Sequence, residues 1–176
     1  PATEPIHCFA AINEMCSPHT MVVNKFGRRF ADESYFPKMV PVIRAFDTTL
    51  RDYPNLPAFM IFDEQYLARY SFGYLPLGTP MPRSVARGGT PAELGSKLGI
   101  DPEGLAASIA RFNEFARNGV DADFHRGETR WKLAQDAGAN TRNSRLGTIE
   151  KPPFYGIQLH PFLGSSSAGI LTNQYG

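Results

Sequence analysis

The sequence predicts an α+β fold with a small mixed or antiparallel sheet and segregated helices. Short apolar runs with strand character are separated by turns, and two capped helices follow one another directly along the chain. The 15 prolines and 16 glycines among 176 residues limit the length of every element. A doubly wound sheet, in which strands and helices alternate, is therefore disfavoured.

The first predicted elements are a β-hairpin and a helix. Residues 20–24 and 28–31 have strand character, and Gly27 allows the positive φ that a tight connection requires. From residue 37 to 50 apolar side chains recur at spacings of three and four, which is the helical period. Because Pro41 has no backbone N–H to donate, this helix is expected to begin near Pro41.

A buried strand, a short helix and a long loop are predicted next. Residues 58–62 are all apolar, and Asp63 directly after them is a good N-cap for a helix over 64–70. Residues 74–89 contain too many prolines and glycines for regular structure. They are expected to form a surface loop.

Two further helices are predicted from their end signals. Thr90 starts a capping box with proline at the first helical position, and Gly99 ends that helix. Asp101 starts the second helix in the same way, and Gly119 ends it.

The last third of the chain is expected to be partly irregular. Residues 120–143 are polar, and a strand is predicted at 154–159 after two consecutive prolines. The chain begins without methionine and ends on the turn sequence 173–176, which typically joins two strands. We therefore expect a single domain excised from a longer protein.

Composition excludes several classes of function. The formal charge is +1 and the charges are interspersed, so no continuous positive face is available for nucleic acid. Apolar runs such as 58–62 are far too short to span a membrane. The composition favours a cytoplasmic location, where Cys8 and Cys16 are expected to be reduced thiols.

No motif for a metal, a serine nucleophile or a dinucleotide is found. The four histidines are isolated and no Cys-x-x-Cys pair occurs, so no metal site is predicted. Residues 164–169 come near Gly-x-Ser-x-Gly without matching it. Since no strand is followed by Gly-x-Gly-x-x-Gly, the chain has no pyrophosphate cradle of its own.

Seven tyrosines are the remaining candidates for chemistry. A phenol acts as a base only where neighbours stabilise its anion, because its reference pKa is about 10. Tyr66 and Tyr70 lie four residues apart with Arg69 between them, and Tyr35 lies near Arg28 and Arg29 along the chain. For each tyrosine the commoner role is packing, with the hydroxyl on a backbone group.

Residues 23–34, VNKFGRRFADES, resemble the Val-Asn-x-x-Gly-x-Arg-Phe-x-x-Glu signature of the flavoprotein family that contains fumarate reductase and 3-ketosteroid dehydrogenases. Further segments follow that family in the same order along nearly the whole chain: 62–66, 98–101, 111–115, 119–127 and 152–155. Each segment alone is weak, and the combination is specific. Arg29 and Glu33 within the signature are expected to have a structural role.

The resemblance implies a domain organisation. In that family the chain builds an FAD-binding domain, leaves it for a substrate-capping domain and returns to it. Residues 1–176 are similar to the capping domain alone, with about 1–20 and 160–176 as connections to an absent FAD-binding domain of the same chain. FAD is thus the implied cofactor of the full-length protein, whereas the isolated chain is expected neither to bind it tightly nor to turn over.

Departures from the family narrow the implied substrate. Fumarate reductases have an arginine where this sequence has Pro37, and a histidine where it has Ser165, so dicarboxylate reduction is disfavoured. At the place of Pro37, the sequence of 3-ketosteroid dehydrogenases resembles Glu-Ser-x-Pro-Tyr, and the tyrosine of this motif acts as the base. Here residues 33–37 read ESYFP, so Tyr35 is either a displaced equivalent of that base or a wall of the pocket.

The resemblance therefore implies desaturation, or the reverse reduction, of a C–C bond next to the ketone of a small hydrophobic, steroid-like substrate. Tyr35 is the first candidate for the base and Tyr66 the second. The candidates for substrate contact are Phe36, Tyr70, Phe72 and Ser165. The candidates for close approach to the flavin are the small residues Ser166, Ser167, Ala168 and Gly169.

One alternative from another class of protein stays open. In this alternative the chain is a non-catalytic binding or interaction module, in which the loop at 78–89 docks a partner.

Overall fold

The structure is a computed structural model that describes residues 10–129, 143–161 and 173. Within these residues the elements are α1 (Ile12–Cys16), β1 (Thr20–Asn24), α2 (Phe36–Ile43), β2 (Ala58–Asp63), α3 (Glu64–Leu67), β3 (Ala86–Gly88), α4 (Pro91–Leu98), α5 (Pro102–Asn118) and β4 (Phe154–Leu159).

The four strands form one antiparallel sheet in the order β1-β2-β4-β3. Val22 of β1 lies opposite Met60 of β2, and Met60 lies opposite Ile157 of β4. Every residue of β2 is buried, as expected for a central strand. The helices lie outside the sheet, so the predicted α+β fold with an antiparallel sheet is confirmed.

The predicted hairpin at residues 20–31 is wrong in its second strand. Residues 28–31 form no strand, and β1 is an edge strand that pairs with β2. The Asn24 side chain closes a tight turn, since its Oδ1 accepts the backbone N–H groups of Phe26 (3.0 Å) and Arg28 (3.1 Å). Gly27 has the predicted positive φ, at 68°.

Helix α2 begins earlier than the predicted start near Pro41. It runs from Phe36 to Ile43, with Pro37 in its first turn, where proline is favoured because that N–H has no partner in a helix. Pro41 lies inside the helix, which ends two residues later. Helix α3 is shorter than the predicted 64–70, and the predicted loop at 74–89 contains the short strand β3.

The predicted helix ends are confirmed at α4 and α5. Thr90 Oγ1 accepts the backbone N–H of Glu93 at 3.1 Å, and the Asp101 side chain accepts that of Glu103. Gly99 and Gly119 adopt left-handed conformations directly after the two helices. The Asp63 cap predicted before α3 is also present.

The sheet has two buried faces with different covers. Met21, Ile61 and Phe154 lie on the first face, which packs against α4 and α5. The second face is formed by alternate residues of three strands: Val22, Ala58, Met60, Phe62, Tyr155, Ile157 and Leu159. At one end it packs against α2, and at the other against an aromatic cluster.

Candidate functional site

Tyr35, the first candidate base, is the N-cap residue of α2 and is half-buried. Its carbonyl accepts the N–H of Lys38 at 2.9 Å, and its own N–H donates to the carbonyl of Asp32 at 3.3 Å. Ser34 Oγ donates to Asp32 Oδ1 at 2.6 Å. The backbone on both sides of Tyr35 is therefore held in place.

A buried ion-pair cluster lies just before Tyr35. Arg29 donates to both oxygens of Glu33, at 3.1 and 2.8 Å, and to both oxygens of Asp121, at 3.1 and 2.7 Å. Arg126 is fully buried, and its Nη1 lies 3.0 Å from Glu33 Oε1. The cluster fixes the segment that leads to α2 against the chain that follows α5.

Attraction outweighs burial at the two carboxylates of this cluster. Burial opposes the charge on Glu33, but Arg29 and Arg126 together lower the pKa of its carboxyl group. Burial likewise opposes the charge on Asp121, and hydrogen bonding and charge attraction from Arg29 lower its pKa. At Arg126 burial outweighs the attraction of Glu33 and lowers the pKa of the guanidinium. Glu33 and Asp121 are thus charged at neutral pH, which supports the structural role predicted for Arg29 and Glu33.

Tyr66, the second candidate base, is buried, and its hydroxyl donates to the carbonyl of Ser71 at 2.9 Å. Burial, and then the nearby Glu14, raise the pKa of this phenol above its usual value. Both observations favour packing over proton abstraction for Tyr66.

Tyr70 and Phe72 belong to the aromatic cluster on the second face. The Phe62 ring stacks on Phe72 and on Tyr155, with centroids 5.0 and 5.4 Å away, and the Tyr70 and Tyr66 rings are 5.4 Å apart. Outside this cluster lies a shallow groove, which we call the aromatic groove. Its lining includes Glu64, Leu67, Tyr70, Phe72, Met81 and Tyr155.

The aromatic groove has a polar end that the sequence analysis missed. Tyr155 Oη donates to Glu64 Oε2 at 3.1 Å, and burial together with Glu64 raises the pKa of Tyr155. The two residues are 91 positions apart, so no local motif relates them. The available signal is strand alternation, which puts Tyr155 on the same face as Ile157 and Leu159.

The candidate residues thus lie in two groups along the second face. Tyr35 and Phe36 start α2 at one end, and the cluster with Tyr66, Tyr70 and Phe72 lies at the other. Met15 and Leu159 pack against the aromatic cluster and against the cluster that contains Met39 and Ile43 of α2, and both are only partly buried, as is Ile157. A partly open apolar strip therefore joins α2 to the aromatic cluster.

Some predicted site residues lie outside the described residues. These are Ser165 and the flavin candidates Ser166, Ser167, Ala168 and Gly169. In the described part of the chain, no group of three or more His, Cys, Asp or Glu side chains is arranged to hold a metal ion. Nor does any helix there have the length and apolar character needed to cross a membrane.

Comparison with known proteins places the chain in a flavoprotein family. Residues 7–176 match a family model described as an FAD binding domain. The chain belongs to this flavoprotein family, and FAD is the cofactor of the full-length protein.

Two relatives illustrate the similarity in sequence. The chain is 36% identical over 162 residues to a 4-oxocyclohexanecarboxylate 2-dehydrogenase of Sinomonas cyclohexanicum. This alignment covers 91% of this chain and 28% of the relative. It is 34% identical over 176 residues to a 3-oxosteroid 1-dehydrogenase of Mycobacterium tuberculosis, covering 94% of this chain and 31% of the relative. The chain therefore spans less than a third of either relative.

Solved structures show the same fold. A 3-ketosteroid Δ1-dehydrogenase from Sterolibacterium denitrificans, in complex with 1,4-androstadiene-3,17-dione, matches 82% of this chain and 27% of its own with a TM-score of 0.70 and 28% identity. A fumarate reductase flavoprotein subunit from Lactobacillus plantarum matches with a TM-score of 0.52 and 18% identity, over 84% of this chain and 86% of its own. A chain of similar extent thus adopts this fold.

Proposed function

We propose that this chain is the substrate-capping domain of an FAD-dependent dehydrogenase that acts on a cyclic, steroid-like ketone. The reaction is desaturation of a C–C bond next to the carbonyl group, or the reverse reduction. The names of both relatives describe dehydrogenases of oxo compounds, which supports this reaction class. The Lactobacillus plantarum structure matches this antiparallel fold over most of its own chain. This supports a domain that is distinct from the one that binds FAD.

The observation that carries the proposal is the partly open apolar strip on the second face. It joins α2, through Met39 and Ile43, to the aromatic cluster, and its side chains Met15, Ile157 and Leu159 are half-buried. An apolar ring system laid on this strip is shielded from water. Shielding strengthens every polar interaction at the substrate carbonyl, because water no longer screens it.

The chemistry requires a base, because the carbon next to a ketone must lose a proton before the C–C bond becomes double. When bound, FAD accepts hydride from the neighbouring carbon. Tyr35 supplies the base in this proposal: it is half-buried at the start of α2, the helix that the strip reaches, and the ion-pair cluster holds the segment before it. Phe36, Tyr70 and Phe72 contribute apolar walls.

The test uses the full-length FAD-loaded protein under anaerobic conditions. A panel of 3-oxosteroids and 4-oxocyclohexane derivatives is mixed with it, and bleaching of the flavin absorbance is followed. We expect at least one neutral cyclic ketone to reduce the flavin within seconds, and short-chain dicarboxylates to be inert. If no cyclic ketone exchanges electrons with the flavin in either direction, the proposed function is wrong.

A further inference from the structure

The connection between α2 and β2 exposes three large apolar side chains on one turn. Phe46 is 51% exposed, Leu50 59% and Tyr53 44%. The rings of Phe46 and Tyr53 meet edge to face, with centroids 5.2 Å apart. We call these three residues the apolar turn.

The apolar turn is held in one conformation. The backbones of Asp47 and Asp52 exchange two hydrogen bonds, at 2.9 and 3.3 Å, directly between Phe46 and Tyr53. Asp47 Oδ1 accepts the N–H groups of Thr49 (2.8 Å) and Leu50 (2.9 Å), and Asp52 forms an ion pair with Lys25. Several apolar side chains held in a fixed arrangement on an exposed loop are typical of a surface that contacts another part of a protein.

The position of the turn indicates what covers it. Arg44, two residues before Phe46, donates from Nη2 to the carbonyl of Pro161 at 2.8 Å. Pro161 lies two residues beyond the end of β4, where the chain leaves the sheet. This hydrogen bond connects the segment just before the apolar turn to the chain just after β4.

We propose that the apolar turn is the surface on which this domain docks against the FAD-binding part of the full-length polypeptide. This inference depends on the proposed function, because it needs that second part. The chain spans under a third of its relatives' length, so in those proteins most of the polypeptide lies outside the matched region. A domain needs an apolar contact with the rest of its polypeptide to hold one orientation relative to it.

Hydroxyl-radical footprinting of the full-length FAD-loaded protein tests the proposal. Phe46 and Tyr53 are compared with Phe26 (43% exposed) and Tyr74 (50% exposed), which are matched in residue type and exposure. If docking buries the apolar turn in the core of an interface, Phe46 and Tyr53 are labelled at least about fivefold more slowly than the two reference residues. Equal labelling rates at the two pairs overturn the proposal.

A variant separates docking within one polypeptide from pairing of two copies. Phe46→Ser is expected to restore the labelling of Tyr53 without changing the oligomeric state in light scattering. If Phe46→Ser instead converts a dimer into a monomer, a second copy covers the turn and the inference is wrong. Flavin reduction by cyclic ketones is measured separately on the unaltered protein, so failure of the proposed function is recognised independently of the labelling result.

Discussion

Arg29 and Glu33 form a bidentate ion pair, with N–O distances of 2.8 and 3.1 Å, and Glu33 is fully buried. The same guanidinium holds both oxygens of Asp121 and lies over the Phe112 ring, 5.0 Å from its centroid. One side chain thus connects three distant segments of the chain. The candidate base Tyr35 follows Glu33 by two residues, so its position depends on this contact.

Replacing Arg29 with methionine should be severely destabilising. Arg29→Met leaves Glu33 and Asp121 buried with one guanidinium nearby, and breaking a buried pair in this way typically costs about 3–5 kcal/mol. Lys97→Met is the control, since the ion pair of Lys97 with Glu93 is about half exposed on both sides and contributes little to stability. Urea unfolding monitored by circular dichroism measures both changes. Equal losses for the two variants would show that the cluster contributes little.

Gly27→Ala should destabilise more than Gly99→Ala. Both glycines have left-handed φ values, 68° and 70°, so both substitutions introduce similar backbone strain. A Cβ atom at Gly27 would lie 2.4 Å from the backbone nitrogen of Leu105, whereas a Cβ at Gly99 meets nothing within 4 Å. We expect about 1 kcal/mol of destabilisation at Gly99 and at least twice that at Gly27. Thermal unfolding of the two variants checks this, and a smaller loss at Gly27 contradicts the close approach of this turn to α5.

His19 should make stability depend on pH below neutrality. Its Nδ1 lies 2.7 Å from the carbonyl of Thr148 and its Nε2 lies 3.2 Å from Arg69 Nη1, an arrangement that suits the neutral ring. Burial, with a smaller effect of Arg69, lowers the pKa of His19 below its usual 6.5. The unfolded chain therefore binds the proton more readily, so this stabilisation is complete above about pH 6.5 and decreases as the pH falls.

The measurement is the free energy of urea unfolding at several values between about pH 7.5 and 5.5. His19→Asn keeps a residue type that tolerates the positive φ of 63° found here, and it removes the titrating ring. We expect the wild type to lose stability across this window and the variant to change much less. The prediction fails if both proteins show the same slope.

Local signals in the sequence were sufficient for much of the fold. The strand β2 and its helix α3 were predictable because an apolar run is followed directly by Asp63, whose side chain accepts the N–H of Gln65 at 2.9 Å. Helices α4 and α5 were predictable for the same reason, since their caps are contacts within three residues or fewer. Such contacts are encoded by neighbouring residues and need no knowledge of the tertiary structure.

Contacts across the chain were not predictable in the same way. Strand β1 pairs with β2, which begins 34 residues after β1 ends, and residues 28–31 form no strand. The partner of Arg29 at Asp121 is 92 residues away, and that of Tyr155 at Glu64 is 91 residues away. The tyrosines were candidates because of their number, the arginines near them and, for Tyr35, the resemblance to a family motif. Only the fold distinguishes buried Tyr66 from half-buried Tyr35.

This distinction predicts opposite results for two conservative substitutions in the full-length FAD-loaded protein. Tyr35→Phe removes the proposed base and should slow flavin reduction by a cyclic ketone about 10²–10⁴-fold, the usual contribution of a positioned acid or base. Tyr66→Phe removes one buried hydrogen bond, to the Ser71 carbonyl, and should cost about 1 kcal/mol of stability while leaving the rate within a few-fold. Stopped-flow absorbance and urea unfolding measure the two effects on the same samples.

Binding of the ketone gives a second readout for Tyr35. If its phenol takes the proton, Tyr35→Phe loses the rate of flavin reduction while it still binds the ketone. A Tyr35→Phe protein that reduces flavin as fast as the wild type limits Tyr35 to a wall of the pocket. A large loss in Tyr66→Phe with unchanged stability would transfer the role of base to Tyr66, despite the burial that raises the pKa of its phenol.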